Sequence, residues 1–292
     1  MEGLQFNPAN FANGSKPVPK PPVEALPNFD FSPANFQQHQ TNVREAEAQQ
    51  LIDLRNLPVG PIPAWSFSSW SNFDECPYKV YLSKIEKRPD PSGPAAERGS
   101  RIHTDIEDFV QGERDDLCKE ASKHFKDMIV TLRDDYINGT VEIEGDWGFD
   151  RHWEPTDWTA PNVWARIKLD AIKHESETSA WIIDWKSGRK FGNELKHAKQ
   201  LQLYVVAAFM KYPNLEYAKG EMIYLDQNDR LTSEYSREEA MAFIDTWNHR
   251  GYSMTSATDF PPKPSFNACR WCPHGKIQEG HDKPFCPHKY EN

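Results

Sequence analysis

The stretch that decides the fold is AWIIDWKSGRK, residues 180–190. An apolar run typical of a β-strand leads to Asp184, and Lys186 follows before Ser187 and Gly188 end the strand. Because side chains at i and i+2 of a strand lie on the same face, the carboxylate and the ammonium group are neighbours. The two residues form either an exposed ion pair or part of a catalytic site.

A second aspartate lies upstream, where Asp170 ends the alternating run WARIKLD. If residues 163–174 and 180–186 form a hairpin, Asp170 and Asp184 converge on one face of adjacent strands. Close carboxylates raise each other's pKa unless a cation lies between them, and hard oxygen ligands of this kind suit Mg²⁺ or Mn²⁺. Lys186 can then orient an attacking water and offset charge on a phosphate.

Length and composition restrict the class of protein. A chain of 292 residues can bury a substantial core, and we expect one large domain with appendages. The formal net charge of -10 argues against a general polyanion-coating protein but leaves nucleic acid open as a substrate. With no apolar run of membrane length and no signal pattern in MEGLQFNPAN, we expect a soluble, cytoplasmic protein, in the host cytoplasm if it is viral.

Residues 1–60 are expected to form a flexible tail, because prolines interrupt them throughout, and residues 61–292 the folded domain. The tail contains the repeat FNPANF at 6–11 and FSPANF at 31–36. Two copies predict two docking motifs for one protein partner, through Phe6 and Phe31. Chance similarity, or an arm that packs on its own domain, would explain the repeat equally well.

Periodicity predicts an α/β or α+β fold, with a central mixed sheet flanked by helices. Helices are predicted at 66–85, 97–112, 115–137, 193–211 and from Ser236 onward, and strands at 140–150, 162–174, 180–187 and 218–226.

The order of motifs resembles the PD-(D/E)XK nuclease superfamily, and more closely its RecB/AddB-like branch, which includes the CRISPR-adaptation iron–sulfur exonucleases. The motifs are GSRIHTDIE, IKLDAI, IIDWKSG and QLQLY, together with ECPYKVYL and the C-terminal cysteines. The resemblance covers roughly residues 66–290. It implies a restriction-endonuclease-like core and a metal-dependent DNA nuclease, with exonuclease action on DNA ends favoured.

The resemblance also implies roles for individual residues. His103, Asp170, Asp184 and the backbone carbonyl of Trp185 would hold one or two Mg²⁺ or Mn²⁺ ions, and Lys186 would orient the water. Gln200 and Tyr204, one helical turn apart, would contact the DNA backbone or position Lys186. As alternatives, His103 and Tyr204 are ordinary core residues. Glu107 is a candidate to support His103, whereas Glu142 and Glu144 are weak candidates that we expect to face solvent.

A basic run, KSGRKFGNELKHAKQ, follows the Asp-x-Lys motif. Its cations Arg189, Lys190, Lys196 and Lys199 are predicted to contact DNA phosphates. The alternative is a solvated helix face.

The cysteines predict a soft-metal site. Cys269, Cys272 and Cys286 lie in an irregular segment, and a C-x-x-C pair in an intracellular protein suits a metal. With His288, His274 or His281 the segment would form a Cys₃His zinc site. With Cys76 it would form a Cys₄ [4Fe–4S] site, which the resemblance favours. In either case the metal would clamp distant parts of the chain together.

The alternative function is a catalytically silent DNA-binding or recruitment subunit of a replication or recombination complex. A structure-specific endonuclease is a further possibility. The intact set of Asp170, Asp184 and Lys186 favours an active enzyme. The single domain and the docking-type tail would suit a phage or mobile-element protein.

Overall fold

The computed structural model describes Gln49 and residues 55–91 and 93–288. The chain divides into two units, Met1–Glu47 and Ala48–Asn292, and every described residue belongs to the second. Both Phe-x-Pro-Ala-Asn-Phe repeats lie outside the described residues, so their role in docking stays a prediction. No helix of the described part is long and apolar enough to cross a membrane.

The helices and strands follow one another largely in the order that the periodicity predicts. The helices are α1 (Phe67–Glu75), α2 (Pro77–Val80), a π-helical turn (Tyr81–Ile85), α3 (Pro94–Gln111), α4 (Lys119–Ile137), α5 (Glu194–Lys211), α6 (Arg237–Met241), α7 (Ile244–Thr255), α8 (Phe266–Arg270) and a 3₁₀ turn (Pro273–Gly275). The strands are β1 (Val141–Phe149), β2 (Pro155–Thr156), β3 (Ala165–His174), β4 (Ser179–Lys186), β5 (Tyr217–Tyr224) and β6 (Asp229–Ser236).

The six strands form one sheet in the order β2-β1-β3-β4-β5-β6. Neighbouring strands are antiparallel except β4 and β5, which are parallel. A parallel pair needs a long crossover connection, and α5 provides it. The predicted mixed sheet with flanking helices is therefore confirmed.

Two large apolar clusters, and a small third one of Leu201, Met222 and Tyr224, form the core of the described residues. One contains the apolar side chains of α5, including Leu203 and Val206, with several tryptophans. The other joins α3 and α4 to Ile183 and Trp185 of β4. Strand β4 contributes to both clusters, since Ile182 belongs to the first. The strand that carries Asp184 is therefore fixed by packing on both faces.

The structure differs from the predicted elements at several places. The helix predicted from Ser236 onward is divided into α6 and α7. The helix predicted at 66–85 is divided, because Cys76 is extended and Pro77 starts a new helix without a backbone N–H. Strand β6 was not predicted, because its residues are largely polar and half-exposed. It lies at the edge of the sheet, where only one side needs partners.

Candidate active site

The hairpin of β3 and β4 brings Asp170 and Asp184 together. The last backbone pair of the antiparallel register is Ala171 with Ile183, and one further step places the two aspartates opposite each other. The ladder ends here, and the amide of Trp185 instead donates a 2.6 Å hydrogen bond to Oδ2 of Asp170. The strands thus part where the carboxylates meet.

His103 reaches the same point from α3. Its Nδ1 donates a 2.9 Å hydrogen bond to Oδ1 of Asp170. Ile102 and Ile106, which are fully buried on the same helix, fix α3 against the sheet. Both carboxylate oxygens of Asp170 therefore have partners, one from a helix and one from β4.

Asp184 is the more deeply buried of the two carboxylates, with 3% of its surface exposed. Its Oδ2 contacts the ammonium group of Lys186, as expected for i and i+2 on one strand face. Burial raises the pKa of Asp184, and the negative charge of Asp170 adds to the rise, against the opposing effect of Lys186. The site thus holds a carboxyl group whose charged form is costly.

The pKa of His103 is also raised. Burial lowers it, but the hydrogen bond and the charge of Asp170 together with the charge of Asp184 outweigh this. The imidazole therefore tends to hold a proton when the two carboxylates are ionised and no other cation is present.

Gln200 and Tyr204 face the aspartates from α5. The side-chain amide of Gln200 donates a 2.6 Å hydrogen bond to the hydroxyl of Tyr204. Burial and the charges of Asp184 and Asp170 raise the pKa of Tyr204 well above its usual value. The hydroxyl therefore keeps its proton and can act as a hydrogen-bond donor.

These side chains line one cleft of about 470 Å³. Its wall contains His103, Asp170, Asp184, Lys186, Gln200 and Tyr204. The predicted side chains of the site thus lie around one cavity, although they come from four elements.

Three further charged residues line the cleft: Glu107, Glu144 and Lys168. Glu144 has a positive φ of 50° and is skipped in the pairing of β1 with β3, where Ile143 pairs with Ala171 and Gly145 with Leu169. The register is the same on both sides of this position, so Glu144 lies opposite Asp170 and on the same face of the sheet, where it forms an ion pair with Lys168 in the cleft. The expectation that Glu144 faces solvent is therefore wrong, and the register of β1 against β3, which decides the face, was not predicted.

Glu142 lies elsewhere and takes part in a structural contact. Its Oε1 lies 3.1 Å from Nε2 of His174, and it also accepts a hydrogen bond from Tyr212. Glu107 does line the cleft, and burial together with the charge of Glu144 raises its pKa.

Comparison with known proteins agrees with this arrangement. A family model described as the PD-(D/E)XK nuclease superfamily matches residues 64–277. The chain belongs to this superfamily. No curated protein matches the chain.

Several solved structures are similar at low identity. A putative exonuclease from Eubacterium rectale shares 14% identity over 74% of this chain and 90% of its own, with a TM-score of 0.41. An alkaline exonuclease from Laribacter hongkongensis shares 11% over 67% and 88%, with a TM-score of 0.27. A phage related exonuclease from Haemophilus somnus 129PT shares 8% over 64% and 92%, with a TM-score of 0.25.

Two carboxylates and an imidazole line this PD-(D/E)XK cleft. These donor groups are of the kind that bind a hard divalent cation. In the described part of the chain, however, no three His, Cys, Asp or Glu side chains are grouped as metal ligands. The oxygens are instead engaged by His103, Lys186 and the amide of Trp185. A metal would have to replace the contacts from His103 and Lys186.

The cations that are predicted to bind DNA differ in whether another protein group already binds them. Arg189, Lys196 and Lys199 are exposed. Lys190 is held by Asp229 at 2.9 Å and by the carbonyl of Arg230 at 2.8 Å. It is less available for phosphate than its neighbours in the sequence.

Four of the five cysteines of the nuclease chain, Cys76, Cys269, Cys272 and Cys286, line a separate cavity of about 360 Å³. His288 lines it too. Of the three histidines only His288 lines the cavity; His274 is fully buried and its carbonyl accepts a 2.8 Å hydrogen bond from the amide of Cys286, and His281 is exposed. All four cysteines are free thiols, and no three of these ligands are grouped as a metal site in the described residues.

Proposed function

We propose that this nuclease is a Mg²⁺- or Mn²⁺-dependent deoxyribonuclease that hydrolyses phosphodiester bonds, with exonuclease action on DNA ends. One observation carries the proposal: Asp170, Asp184 and Lys186 line one cleft with His103, and the two aspartates lie at the point where β3 and β4 separate. The preference for ends rests on the resemblance of the motif order to the RecB/AddB-like branch.

His103, Asp170, Asp184 and the carbonyl of Trp185 would hold the metal, which would polarise the phosphate and acidify a water. The residues fit this role because Asp184 is a buried carboxyl whose raised pKa shows that its charge is poorly compensated. Both N–H and C=O of one strand residue point to the same side, so the Trp185 carbonyl faces Asp170 as its amide does.

Lys186 would orient the attacking water and offset charge on the phosphate. Its ammonium group already lies beside the carboxylate of Asp184, from where it would donate a hydrogen bond to the water or to a phosphate oxygen. Tyr204 keeps its proton and, with Gln200, would donate hydrogen bonds to the substrate backbone. In hydrolysis the oxygen of the water would bond to phosphorus as one P–O bond breaks, and the proton that the water loses would balance the proton that the leaving oxygen takes up from solvent.

Binding of the backbone would use cations beside the cleft. Partial desolvation and the nearby charges of Lys79 and Lys186 lower the pKa of Lys196, against the effect of Glu75. Like charges held close together attract an anion, and Arg189 and Lys199 extend the basic surface into solvent.

A [4Fe–4S] cluster held by Cys76, Cys269, Cys272 and Cys286 is proposed for the second cavity. All four thiols line one cavity and could share one bound group, and the resemblance to the iron–sulfur exonucleases favours a cluster over a single zinc. Burial and the neighbouring thiols raise the pKa of Cys286, and a bound metal would remove that penalty. A Cys₃His zinc site with His288 remains the alternative.

The repeats in the tail are proposed to bind one protein partner through Phe6 and Phe31. Partner binding should then fall sharply when both are changed to Ala and only partly when one is changed. Unchanged capture by the doubly substituted chain would exclude the proposal.

The test of the nuclease uses end-labelled linear DNA and closed circular DNA, single- and double-stranded, with Mg²⁺, Mn²⁺ or EDTA. We expect linear DNA to be degraded with either metal, circles to resist, and Asp184→Ala and Lys186→Ala to be inactive. Asp127→Ala and Lys126→Ala, at exposed positions of α4, are the matched controls. Cutting of circles would indicate an endonuclease.

Binding of DNA without cutting under all of these conditions would favour the silent recruitment subunit. Cutting by Asp184→Ala at the rate of the unaltered chain would exclude the assigned site.

A further inference from the structure

A further cavity, of about 620 Å³ and distinct from the cysteine-lined one, opens beside the active-site cleft. Its walls are the segment 61–69, which leads into α1, the loop between 158 and 163, and part of β3. Lys168, Gln200 and Tyr204 line both this cavity and the cleft. The two spaces are therefore contiguous, and a ligand that lies in the cleft can extend into the cavity.

The cavity is basic although the chain is acidic. Lys84, Arg166 and Lys168 line it, and among the described residues of its wall there is no Asp or Glu. Lys84 and Lys168 are exposed; of the two carboxylates near Lys168, Glu144 lines the cleft and Asp146, at 3.9 Å, lines neither space. In a chain with a formal net charge of -10, a wall with three cations and no carboxylate favours an anionic ligand.

An aromatic ring lies beside these cations. Nε of Arg166 donates a 3.0 Å hydrogen bond to the carbonyl of Trp158, and its guanidinium carbon lies 5.6 Å from the centre of the Trp158 ring. This contact holds the Arg166 guanidinium in place and leaves its other N–H groups available to hydrogen-bond another group. Pro63 and Pro161 add apolar wall. Flat apolar surface next to cations is what a base and its phosphate require.

We propose that this cavity binds unpaired nucleotides of the strand that is cut in the neighbouring cleft. Bases would pack against Trp158, and phosphates would contact Lys84 and Arg166. The inference rests on the proposed nuclease function and narrows its substrate to single-stranded DNA or a frayed end. A cavity of this volume accommodates ligands the size of a few nucleotides at most, which favours unpaired nucleotides over a longer duplex.

The test measures binding of a fluorescent oligothymidine to the whole chain in EDTA, where no cutting occurs. Trp158→Ala should weaken binding about tenfold, since it removes one stacking surface. Lys84→Ala should lower the slope of log Kobs against log salt by about 0.7, as expected for one lost single-strand phosphate contact. Lys126→Ala and Trp271→Ala are the matched controls, because both positions are exposed and lie outside the cavity.

Lys84 is exposed, so Lys84→Ala tests the proposal even if Trp158→Ala unfolds. Unchanged affinity and salt slope in both variants would overturn it, as would equal losses for the single strand and for the corresponding duplex. If the unaltered chain digests DNA while these variants bind normally, the cavity assignment alone fails. If it digests nothing while both variants lose single-strand binding, the proposed nuclease function fails and the cavity assignment stands.

Discussion

The ammonium group of Lys186 contacts the carboxylate of Asp184, which is 3% exposed and lies directly across from Asp170. This pair combines a buried charge with its counterion inside a cleft that must also accept a phosphate. Burial nevertheless raises the pKa of Asp184. The arrangement is therefore unfavourable for stability and suited to binding a cation, and the two effects can be separated by substitution.

Asp184→Asn should make the metal-free chain more stable while abolishing activity. A carboxyl whose pKa is raised on folding contributes stability below its unfolded pKa, and this is lost as the pH rises through its folded pKa. The gain should therefore be larger at pH 8 than at pH 5. Thermal unfolding in EDTA measures it, and about 1 kcal/mol would shift Tm by about 2–4 °C. A lower Tm than that of the unaltered chain at pH 8 would contradict the prediction.

Mg²⁺ or Mn²⁺ should raise the Tm of the unaltered chain and have much less effect on Asp184→Asn, because ligand binding stabilises only a chain that binds it. Asp127→Asn, at an exposed position of α4, should respond to the metal as the unaltered chain does. An equal shift in all three proteins would show that the metal binds elsewhere.

Lys186→Met should abolish cutting and destabilise the chain at neutral pH, since it leaves the buried carboxylate of Asp184 without its partner. Removing one partner of a buried pair costs about 3–5 kcal/mol. The double variant Lys186→Met with Asp184→Asn should recover most of this stability, which urea unfolding of all four proteins would measure as a coupling free energy. Additive changes would mean that the ion pair is not coupled in solution.

His197 should make the protein sensitive to acid. Burial, followed by the charges of Lys186 and Lys196, lowers the pKa of His197 to about 4, and its Nδ1 lies 2.6 Å from the hydroxyl of Tyr224. A lowered folded pKa gives stability above the unfolded pKa near 6.5, which is lost as the pH falls through about 4. Between pH 7 and pH 4, the Tm of His197→Gln should fall by less than the Tm of the unaltered chain.

His249→Gln, at an exposed position of α7, is the matched control and should follow the unaltered chain across this pH range. Identical losses of Tm in His197→Gln and the unaltered chain would show that His197 is not buried in its neutral form.

Gly251→Ala should destabilise the tryptophan-rich core. A Cβ at this position would lie 2.5 Å from Nε1 of Trp65 and would also clash with the Trp164 ring. Both indoles are 1% exposed, so neither can move aside. Overpacking costs about 1–3 kcal/mol, which exceeds the gain of about 1 kcal/mol in helix propensity. Gly188→Ala, which has nothing within 4 Å, is the control for urea unfolding.

Much of the fold could be predicted because it depends on local pattern. The hairpin of β3 and β4 was predicted from one alternating run and one apolar run, and its register, which pairs Ala171 with Ile183, brings the aspartates together. Ser236 starts a helix as predicted, and the structure shows that it does so through a capping box with Glu239. The position of Glu144 in the cleft and the basic cavity around Arg166 could not be predicted, because they depend on the register of β1 against β3 and on the packing of distant segments.

The cysteine site was predicted only in part. The sequence indicated that the cysteines form a group, but it did not indicate how they are arranged in space. Cys76 lies far from the other three in sequence and reaches them through tertiary packing, where its sulfur accepts a 3.5 Å hydrogen bond from the amide of Lys263. This contact ties the end of α1 to the segment before α8. A cluster bound here would add a crosslink between parts of the chain that are distant in sequence.

Cys76→Ser should therefore remove both colour and stability. If a [4Fe–4S] cluster is bound, anaerobically purified protein should be brown, with iron and acid-labile sulfide in stoichiometric amounts, and Cys76→Ser should lose them and unfold at a lower temperature. Cys118→Ser is the matched control, because Cys118 is a buried free thiol that does not line the cavity. A colourless anaerobic preparation with one zinc per chain, unchanged by Cys76→Ser and lost in His288→Ala, would instead establish the Cys₃His site.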